Sequence, residues 1–135
     1  NHISAFWDLM PTLADIVDYG SMTGLDGVSF LPTLLGKDKQ ATPDYLYWEF
    51  VEKGGRQGVR KGDWKAVRLN VYDSPEAPIE LYNLAQDLGE TNDVSFDYPE
   101  LVADMDSIMK VAHAENPVFS LFKYEGENSK AFRVE

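Results

Sequence analysis

The middle of the chain carries a hydrophobic pattern with a period of two, and this pattern limits the fold more than any other feature. Between Tyr45 and Phe50, every second side chain is large and apolar, as in a strand with one buried face. Glycine-containing turns follow it and predict tight reversals of the chain. The pattern therefore predicts an antiparallel meander of about four strands, at Tyr45–Phe50, Gln57–Lys61, Trp64–Leu69 and Ile79–Tyr82.

An amphipathic helix is predicted after the strands, from Pro99 to Ala114. Its apolar residues recur at helical spacing and form one stripe, which includes Met105, Ile108 and Met109. Such a helix buries its stripe by lying across one face of a sheet, and we expect it to do so here. The predicted fold class is therefore α+β.

A second helix, at Phe6–Tyr19, is predicted before the strands, and Gly20 ends it. A long loop rich in glycine and proline follows. This helix has more apolar positions than one stripe requires, and a helix that is apolar on several sides is normally buried on several sides. We therefore expect an exposed apolar patch near it, larger than roughly a few hundred Å², or burial of the patch by self-association. The residues concerned are Phe6, Trp7, Leu9, Met10, Leu13, Ile16 and Val17.

Composition excludes several classes of protein. The chain has 135 residues, 44% of them hydrophobic, which is typical of a globular protein. Its net charge of −11 argues against a nucleic-acid partner. The absence of cysteine excludes disulfides and thiol nucleophiles, and no apolar run is long enough for a membrane span. The start at Asn1, without an initiator Met, is interpreted as a cut inside a longer protein.

Six of the 12 basic residues nevertheless lie between Lys53 and Arg68. A nucleic-acid surface, a rim facing a sulfated or phosphorylated ligand, and a piece of a larger enzyme would each explain this cluster. Strand-edge charges that discourage edge pairing are an equally simple explanation.

The residues alone indicate neither a catalytic centre nor a metal site. His2 and His113 lie at opposite ends of the chain, and a histidine without a partner at ligand spacing is usually structural or solvated. The carboxylates of Asp104 and Asp106 would point in different directions on a helix. Glu49 and Glu52 form a candidate acid/base pair, but strand-edge solubility explains them equally well.

The order of several short motifs is more specific. The sequence contains, in this order, "AFWDLMPTLADIVDYG", "LDGVSFLPTLLGK", "LYWEF", "GRQGVRKGDWKAVR", "IELYNLAQDLGETNDV" and "YPELVADMDSIM". In this order they resemble the C-terminal part of type I sulfatases, of the alkaline phosphatase superfamily, over about Ala5 to Ala114. Gly58, Asn83 and Leu88 depart from the family pattern at turn and packing positions, and Val51 stands where related carbohydrate sulfatases often have a histidine.

The resemblance implies that residues 1–44 are the end of the large catalytic domain with a connecting helix and loop. Residues 45–122 would then be the C-terminal subdomain, and residues 123–135 a flexible tail. Calcium and a formylglycine nucleophile, made from Cys or Ser in C/S-x-P-x-R, are implied for the parent enzyme. That motif is absent here. We therefore expect no catalytic residue, metal or cofactor in this chain, and no hydrolysis by it alone.

The resemblance also implies that the first hairpin lies near the mouth of the sulfate pocket. Glu49, Arg56 and Gln57 are the candidate substrate-binding residues of this rim. The expected partners are the large N-terminal domain of the same chain and, for the parent, a sulfated small molecule or glycan. Two alternatives stay open, a related phosphodiester or phosphonate monoester hydrolase and a stand-alone sugar-binding or interaction module. The resemblance favours a bacterial protein that is exported to the periplasm, the cell surface or the medium.

Overall fold

A computed structural model of the protein describes residues 2–20, 22–37, 39–123 and 125. The chain forms two compact units, Asn1–Leu46 and Tyr47–Glu135. The architecture is α+β, as predicted, with a four-stranded antiparallel sheet, a C-terminal helix packed on it and an N-terminal helix. The assignment of residues 1–44 to a catalytic domain stays a prediction. The predicted tail, except Lys123 and Glu125, lies outside the described residues.

In the first unit, a 3-10 helix at Phe6–Asp8 leads directly into helix α1, Leu9–Ile16. A single helical turn, α2, follows at Leu31–Leu34. The predicted helix Phe6–Tyr19 was too long at its C-terminal end. It stops early because Asp18 adopts a left-handed conformation, with φ 51°, before Gly20 is reached.

The buried residues of the 3-10 helix and α1 are Asp8, Thr12 and Ala14, so this side is largely polar. The Asp8 carboxylate accepts hydrogen bonds from the backbone N–H groups of Ala5, at 2.7 Å, and Val28, at 2.8 Å. Thr12 Oγ1 accepts from the N–H of Phe30 at 3.0 Å and donates to the carbonyl of Asp8 at 2.6 Å. These two side chains fasten the long loop to the helix, since they satisfy backbone groups that would otherwise be left unpaired.

The apolar side chains of the same helix lie at the surface. Trp7 is half-buried, whereas five neighbours are 53–85% exposed: Phe6, Met10, Leu13, Ile16 and Val17. The predicted exposure of apolar residues around the N-terminal helix is therefore found.

In the second unit the strands follow one another across the sheet in the order β1-β2-β3-β4. Each therefore pairs with its neighbour in sequence, as the meander predicted. The bounds are β1 Leu46–Phe50, β2 Arg56–Lys61, β3 Trp64–Leu69 and β4 Ile79–Asn83, within one residue of the predictions.

Glycine is required in the turn between β1 and β2. Gly55 has φ 74°, and a Cβ atom there would lie 2.9 Å from both the backbone N of Tyr72 and Cγ2 of Val71. The N–H of Val71 also donates to the carbonyl of Gly55 at 3.2 Å. The turn is thus packed directly against the connection that follows β3.

The hydrophobic core lies between the sheet and helix α3, Pro99–Ala112. Val59, Ala66 and Leu81 lie opposite one another on three neighbouring strands, and all three are fully buried. Met105 and Met109 of α3 are also fully buried, as predicted, whereas Ile108 is only half-buried. The helix contacts both β2 and β4.

The predicted end of this helix, at Ala114, was two residues too far. His113 leaves the helical conformation, with ψ 133°. The helix end therefore places the His113 side chain beside the sheet.

Candidate functional site

A polar cluster occupies the helix-covered face of the sheet near β1. Tyr47 and Glu49 lie on this face because side chains alternate along a strand. The hydroxyl of Tyr47 donates to Glu49 Oε1 at 2.5 Å and accepts a hydrogen bond from Nε2 of Gln57 at 2.8 Å. Burial and the hydrogen bond to Glu49 raise the pKa of Tyr47 far above its usual value, so the phenol keeps its proton and stays a donor.

His113 joins this cluster from the end of α3. Its Nδ1 atom lies 2.6 Å from Glu49 Oε1, and its Nε2 atom faces the Glu125 carboxylate in an ion-pair contact. The ring also packs edge-on against Phe122, with 4.8 Å between the ring centroids. One imidazole therefore lies between two carboxylates that come from β1 and from the segment after α3. The sequence predicts a structural or solvated His113 and gives no sign of the contact with Glu49, which is 64 residues away along the chain.

Glu125 is anchored in turn. Its side chain is 6% exposed, and its Oε2 atom accepts the backbone N–H of Leu121 at 2.6 Å. Leu121 is fully buried. The cluster is thus tied to the hydrophobic core at this end.

Three of the six clustered basic residues form ion pairs with acidic groups that follow them in sequence. Lys61 pairs with Asp104, Lys65 with Glu90 and Arg68 with Asp106, at 2.5–2.6 Å. Their role is therefore to fasten α3 and the loop after β4 to the sheet. The pairs also place Asp104 and Asp106 in different contacts, as expected for residues two apart on a helix.

Arg68 and Asp106 form the most enclosed of these pairs, with side chains 6% and 25% exposed. Arg68 also donates to the carbonyl of Ala77 at 2.9 Å, so its guanidinium is held by two elements. Burial raises the pKa of Asp106, but hydrogen bonds from Lys110 and Arg68 outweigh it and hold this pKa below its usual value.

The opposite face of the sheet carries a shallow hollow of about 280 Å³. Aromatic side chains of β1 and cationic side chains of β2 and β3 meet there. Lys65 is paired with Glu90, whereas the Arg56 side chain makes no hydrogen bond or ion pair with the described residues. The lining residues are Trp48, Glu49, Phe50, Arg56, Gln57, Gly58, Lys65 and Val67.

The three predicted rim residues all border this hollow, but their side chains do not form one cluster. Arg56 and Gln57 are consecutive on β2, so their side chains point to opposite faces. Gln57 is 2% exposed, and its amide is bonded to Tyr47 on the helix-covered face together with Glu49. Arg56 lies alone on the open face. The assignment of all three to a substrate pocket stays a prediction.

The motif after β4 builds a loop. Asp87 accepts hydrogen bonds from the N–H groups of Thr91, at 2.7 Å, and Asn92, at 2.9 Å, and these bonds lower its pKa. Asp93 accepts from the N–H of Leu81 at 2.9 Å, which ties the end of the loop back to β4. The acidic residues of "DLGETND" are therefore used in folding.

The described residues offer no site that fits the calcium and formylglycine implied by the sulfatase resemblance. Across the described ranges, no three acidic or histidine side chains converge on a point that would hold a metal ion. Glu49 and Glu125 lie on opposite sides of the His113 ring and cannot share one cation. The sequence has no cysteine. Both groups stay predictions about the rest of the parent protein.

No helix among the described residues is long and apolar enough to cross a membrane.

Comparison with known proteins shows which proteins this chain is similar to. No family model matches the chain. It is similar to arylsulfatase K of Danio rerio, with 24% identity over 109 residues, and to arylsulfatase K of Gallus gallus, with 28% identity over 112 residues. Each match covers 76% of this chain but only about a fifth of the relative, 20% and 21% respectively.

Solved structures also match most of this chain over only part of their own length. A 2-O GAG sulfatase matches 95% of this chain with a TM-score of 0.66 and 19% identity, over 26% of its own length. The structure of Ps i-CgsB in complex with k-i-k-neocarrahexaose matches 92% of this chain with a TM-score of 0.67 and 26% identity, over 28% of its length. The resemblance to the C-terminal subdomain of a sulfatase, predicted from the order of the sequence motifs, is therefore confirmed.

Proposed function

We propose that this chain is the C-terminal part of a sulfatase that hydrolyses sulfate esters of a carbohydrate. The observation that carries the proposal is the match of 76–95% of this chain to only 20–28% of much longer proteins. These include arylsulfatase K, a 2-O GAG sulfatase and a protein solved with a carrageenan-type hexaose. Activity and substrate belong to the whole protein, and this chain supplies one part of it.

In this proposal the chain completes the fold and forms part of the pocket rim. Arg56 is the best candidate for contact with a sulfate group, because a guanidinium without a described partner can bind an anionic group with two parallel hydrogen bonds. Trp48 and Phe50 border the same hollow and present aromatic faces on which a sugar ring can stack. Glu49 contributes a carboxylate from the neighbouring cluster, and the buried Gln57 supports it by donating a hydrogen bond to the Tyr47 hydroxyl.

The catalytic centre lies elsewhere in the proposed parent enzyme. Cleavage of a sulfate ester requires an activated nucleophile and a cation that stabilises developing negative charge. We propose that formylglycine and calcium in the large domain supply these functions. The exposed apolar residues of α1 are the expected contact surface for that domain. Export from a bacterial cell is part of the same proposal.

The proposal is tested by assaying the whole protein and the isolated 135-residue chain side by side. The substrates are 4-nitrophenyl sulfate, sulfated disaccharides, bis(4-nitrophenyl) phosphate and a phosphonate monoester. We expect the whole protein to hydrolyse the sulfates and the isolated chain to hydrolyse none of the four.

Three outcomes would overturn the proposal. Preferential hydrolysis of the phosphate diester or the phosphonate would favour a phosphohydrolase. Binding of sulfated disaccharides by the isolated chain, without turnover by the whole protein, would favour a stand-alone sugar-binding module. Turnover by the isolated chain that one substitution within it abolishes would place a catalytic centre here.

A further inference from the structure

We propose that His113 is a positioning residue for Glu49, and that Glu49 thereby presents one carboxylate oxygen to a hydroxyl group of the carbohydrate. The inference rests on the proposed function, since it assigns Glu49 a ligand at the pocket rim. The residues involved form one cluster, which we call the His113 cluster: Tyr47, Glu49, Gln57, His113 and Glu125.

The two oxygens of Glu49 have different surroundings. Oε1 lies 2.5 Å from the Tyr47 hydroxyl and 2.6 Å from Nδ1 of His113, so it accepts two hydrogen bonds. Oε2 accepts no hydrogen bond from any residue that the structure describes. The Glu49 side chain is 24% exposed. A carboxylate held at one oxygen and open at the other suits recognition of a sugar hydroxyl, which donates a hydrogen bond to it.

A glutamate on strand β1 needs such support to keep one orientation. Its side chain has three rotatable bonds, and a fixed rotamer loses conformational entropy unless contacts compensate for the loss. β1 is also the first strand of the sheet and has a neighbouring strand on one side only. Two hydrogen bonds to the same oxygen restrict the carboxylate to one position.

His113 can serve as a support because it is itself held on three sides. Nδ1 faces Glu49, Nε2 faces Glu125, and the ring packs edge-on against Phe122. The Glu125 carboxylate is fixed by the N–H of the buried Leu121. A continuous series of contacts therefore leads from the hydrophobic core through Glu125 and His113 to Glu49.

The competing interpretation is that His113 only fastens the segment Leu121–Glu125 to the sheet. Both interpretations predict a less stable protein when the ring is removed. They differ in the ring nitrogen that they require. The positioning role requires Nδ1, the atom that contacts Glu49, whereas the fastening role requires only Nε2, the atom that contacts Glu125. Asparagine places its amide near the position of Nδ1, and glutamine places its amide near the position of Nε2.

The experiment measures kcat and KM of the whole protein on a sulfated disaccharide that it hydrolyses. The variants are Glu49→Gln, His113→Asn, His113→Gln and the double variant Glu49→Gln/His113→Gln. Glu115→Gln is the matched control, because it also removes a charge near the end of α3, and the exposed Glu115 side chain forms no hydrogen bond or ion pair with the described residues. Thermal unfolding of each variant reports folding separately.

We expect Glu49→Gln and His113→Gln each to raise KM about tenfold, the effect of one lost charge-assisted hydrogen bond, with kcat retained within about twofold. His113→Asn should restore KM to within about twofold of the wild-type value. The double variant should be no worse than either single variant, because both act through the same carboxylate.

The outcomes separate this inference from the proposed function. If Glu49→Gln leaves KM unchanged, Glu49 is not at the rim, and that part of the proposed function is wrong. If Glu49→Gln raises KM but His113→Gln does not, or if the two effects multiply in the double variant, the positioning role is overturned.

If the protein hydrolyses no sulfate ester, the proposed function fails, and the carbohydrate ligand fails with it. The contact between residue 113 and Glu49 is then examined in crystal structures of the two His113 variants. The inference requires Glu49 to keep its rotamer in His113→Asn and to lose it in His113→Gln. The same Glu49 rotamer in both structures would overturn it.

Discussion

The two units of this protein use their apolar residues in opposite ways. Among the described residues of Tyr47–Glu135, the fully buried side chains are apolar and come from three strands, one face of α3 and two connecting segments, at Val71 and Leu121. In Asn1–Leu46, the buried side chains of α1 and the 3-10 helix before it include Asp8 and Thr12, while Phe6 and Met10 are exposed. The second unit has a hydrophobic core of its own, whereas the first is held by hydrogen bonds between a helix and a loop.

This difference indicates what each unit requires. A sheet with a helix across it loses most of its apolar surface on folding and is stabilised by that burial. A helix with a polar buried side gains little from burial and exposes apolar surface that soluble monomers usually cover. The first unit is therefore expected to depend on further protein surface, whereas the second unit is expected to fold without it.

The largest effect expected of a single substitution is that of creating a cavity in the core of the second unit. Met109 is fully buried, so Met109→Ala should lower the free energy of unfolding by about 2–4 kcal/mol through the cavity that it leaves. Met10→Ala is the matched change in the first unit, where the side chain is 57% exposed, and should cost less than about 0.5 kcal/mol. Urea denaturation of both variants measures the difference, and equal losses would contradict the comparison.

An intermediate effect is expected from the polar buried side of α1. Asp8→Ala leaves the N–H groups of Ala5 and Val28 without their acceptor, which should cost about 1–3 kcal/mol in the free energy of local opening. Native-state hydrogen exchange at Val28 measures this cost. Asp15→Ala, on the exposed side of the same helix, is the control and should have almost no effect. Leu13→Ser should destabilise the isolated chain less than Asp8→Ala does. The opposite result would contradict the view that the first unit is held by its buried polar side chains.

The smallest expected effect concerns the ion pair between Arg68 and Asp106. The folded-state pKa of Asp106 is lowered, so its ionised form stabilises the protein above the unfolded value, near 3.8. This contribution is lost as the pH falls through the lowered folded value. Asp106→Asn should therefore lower the free energy of unfolding by about 1 kcal/mol at pH 7. It should have no effect once the pH lies below both the folded and the unfolded pKa of Asp106.

Urea denaturation as a function of pH measures this dependence. Asp104→Asn is the control, because Asp104 and Lys61 are nearly half exposed and such pairs contribute little. A difference between Asp106→Asn and the wild type that persists unchanged at the lowest pH would show that the charge of Asp106 is not its source.

The sequence was sufficient to predict the second unit, because its elements are short-range patterns. The alternation in β1–β3, the glycine turns and the apolar stripe of α3 each depend on neighbouring residues, and the strands were placed within one residue. The helix ends were less predictable. Asp18 in a left-handed conformation and His113 in an extended one end α1 and α3 early, and both conformations depend on tertiary surroundings.

The His113 cluster could not be predicted from the sequence. Glu49 and His113 are 64 residues apart in the chain, and no spacing rule connects a strand residue with a helix end. Glu49 and Gln57 were singled out as rim residues, but their connection through the Tyr47 hydroxyl was not. The basic residues were singled out as a surface feature, whereas Lys61, Lys65 and Arg68 pair with acidic residues of later segments.

We propose that the rest of the parent protein covers the exposed apolar face of α1. The triple substitution Phe6→Ser/Met10→Ser/Leu13→Ser, made in both the isolated chain and the whole protein, tests it most directly. In the isolated chain the free energy of unfolding should change by less than about 0.5 kcal/mol, because these side chains are exposed there. In the whole protein, stability should fall by several kcal/mol, roughly 1–3 kcal/mol for each buried apolar side chain. An equally small change in both proteins would contradict the claim.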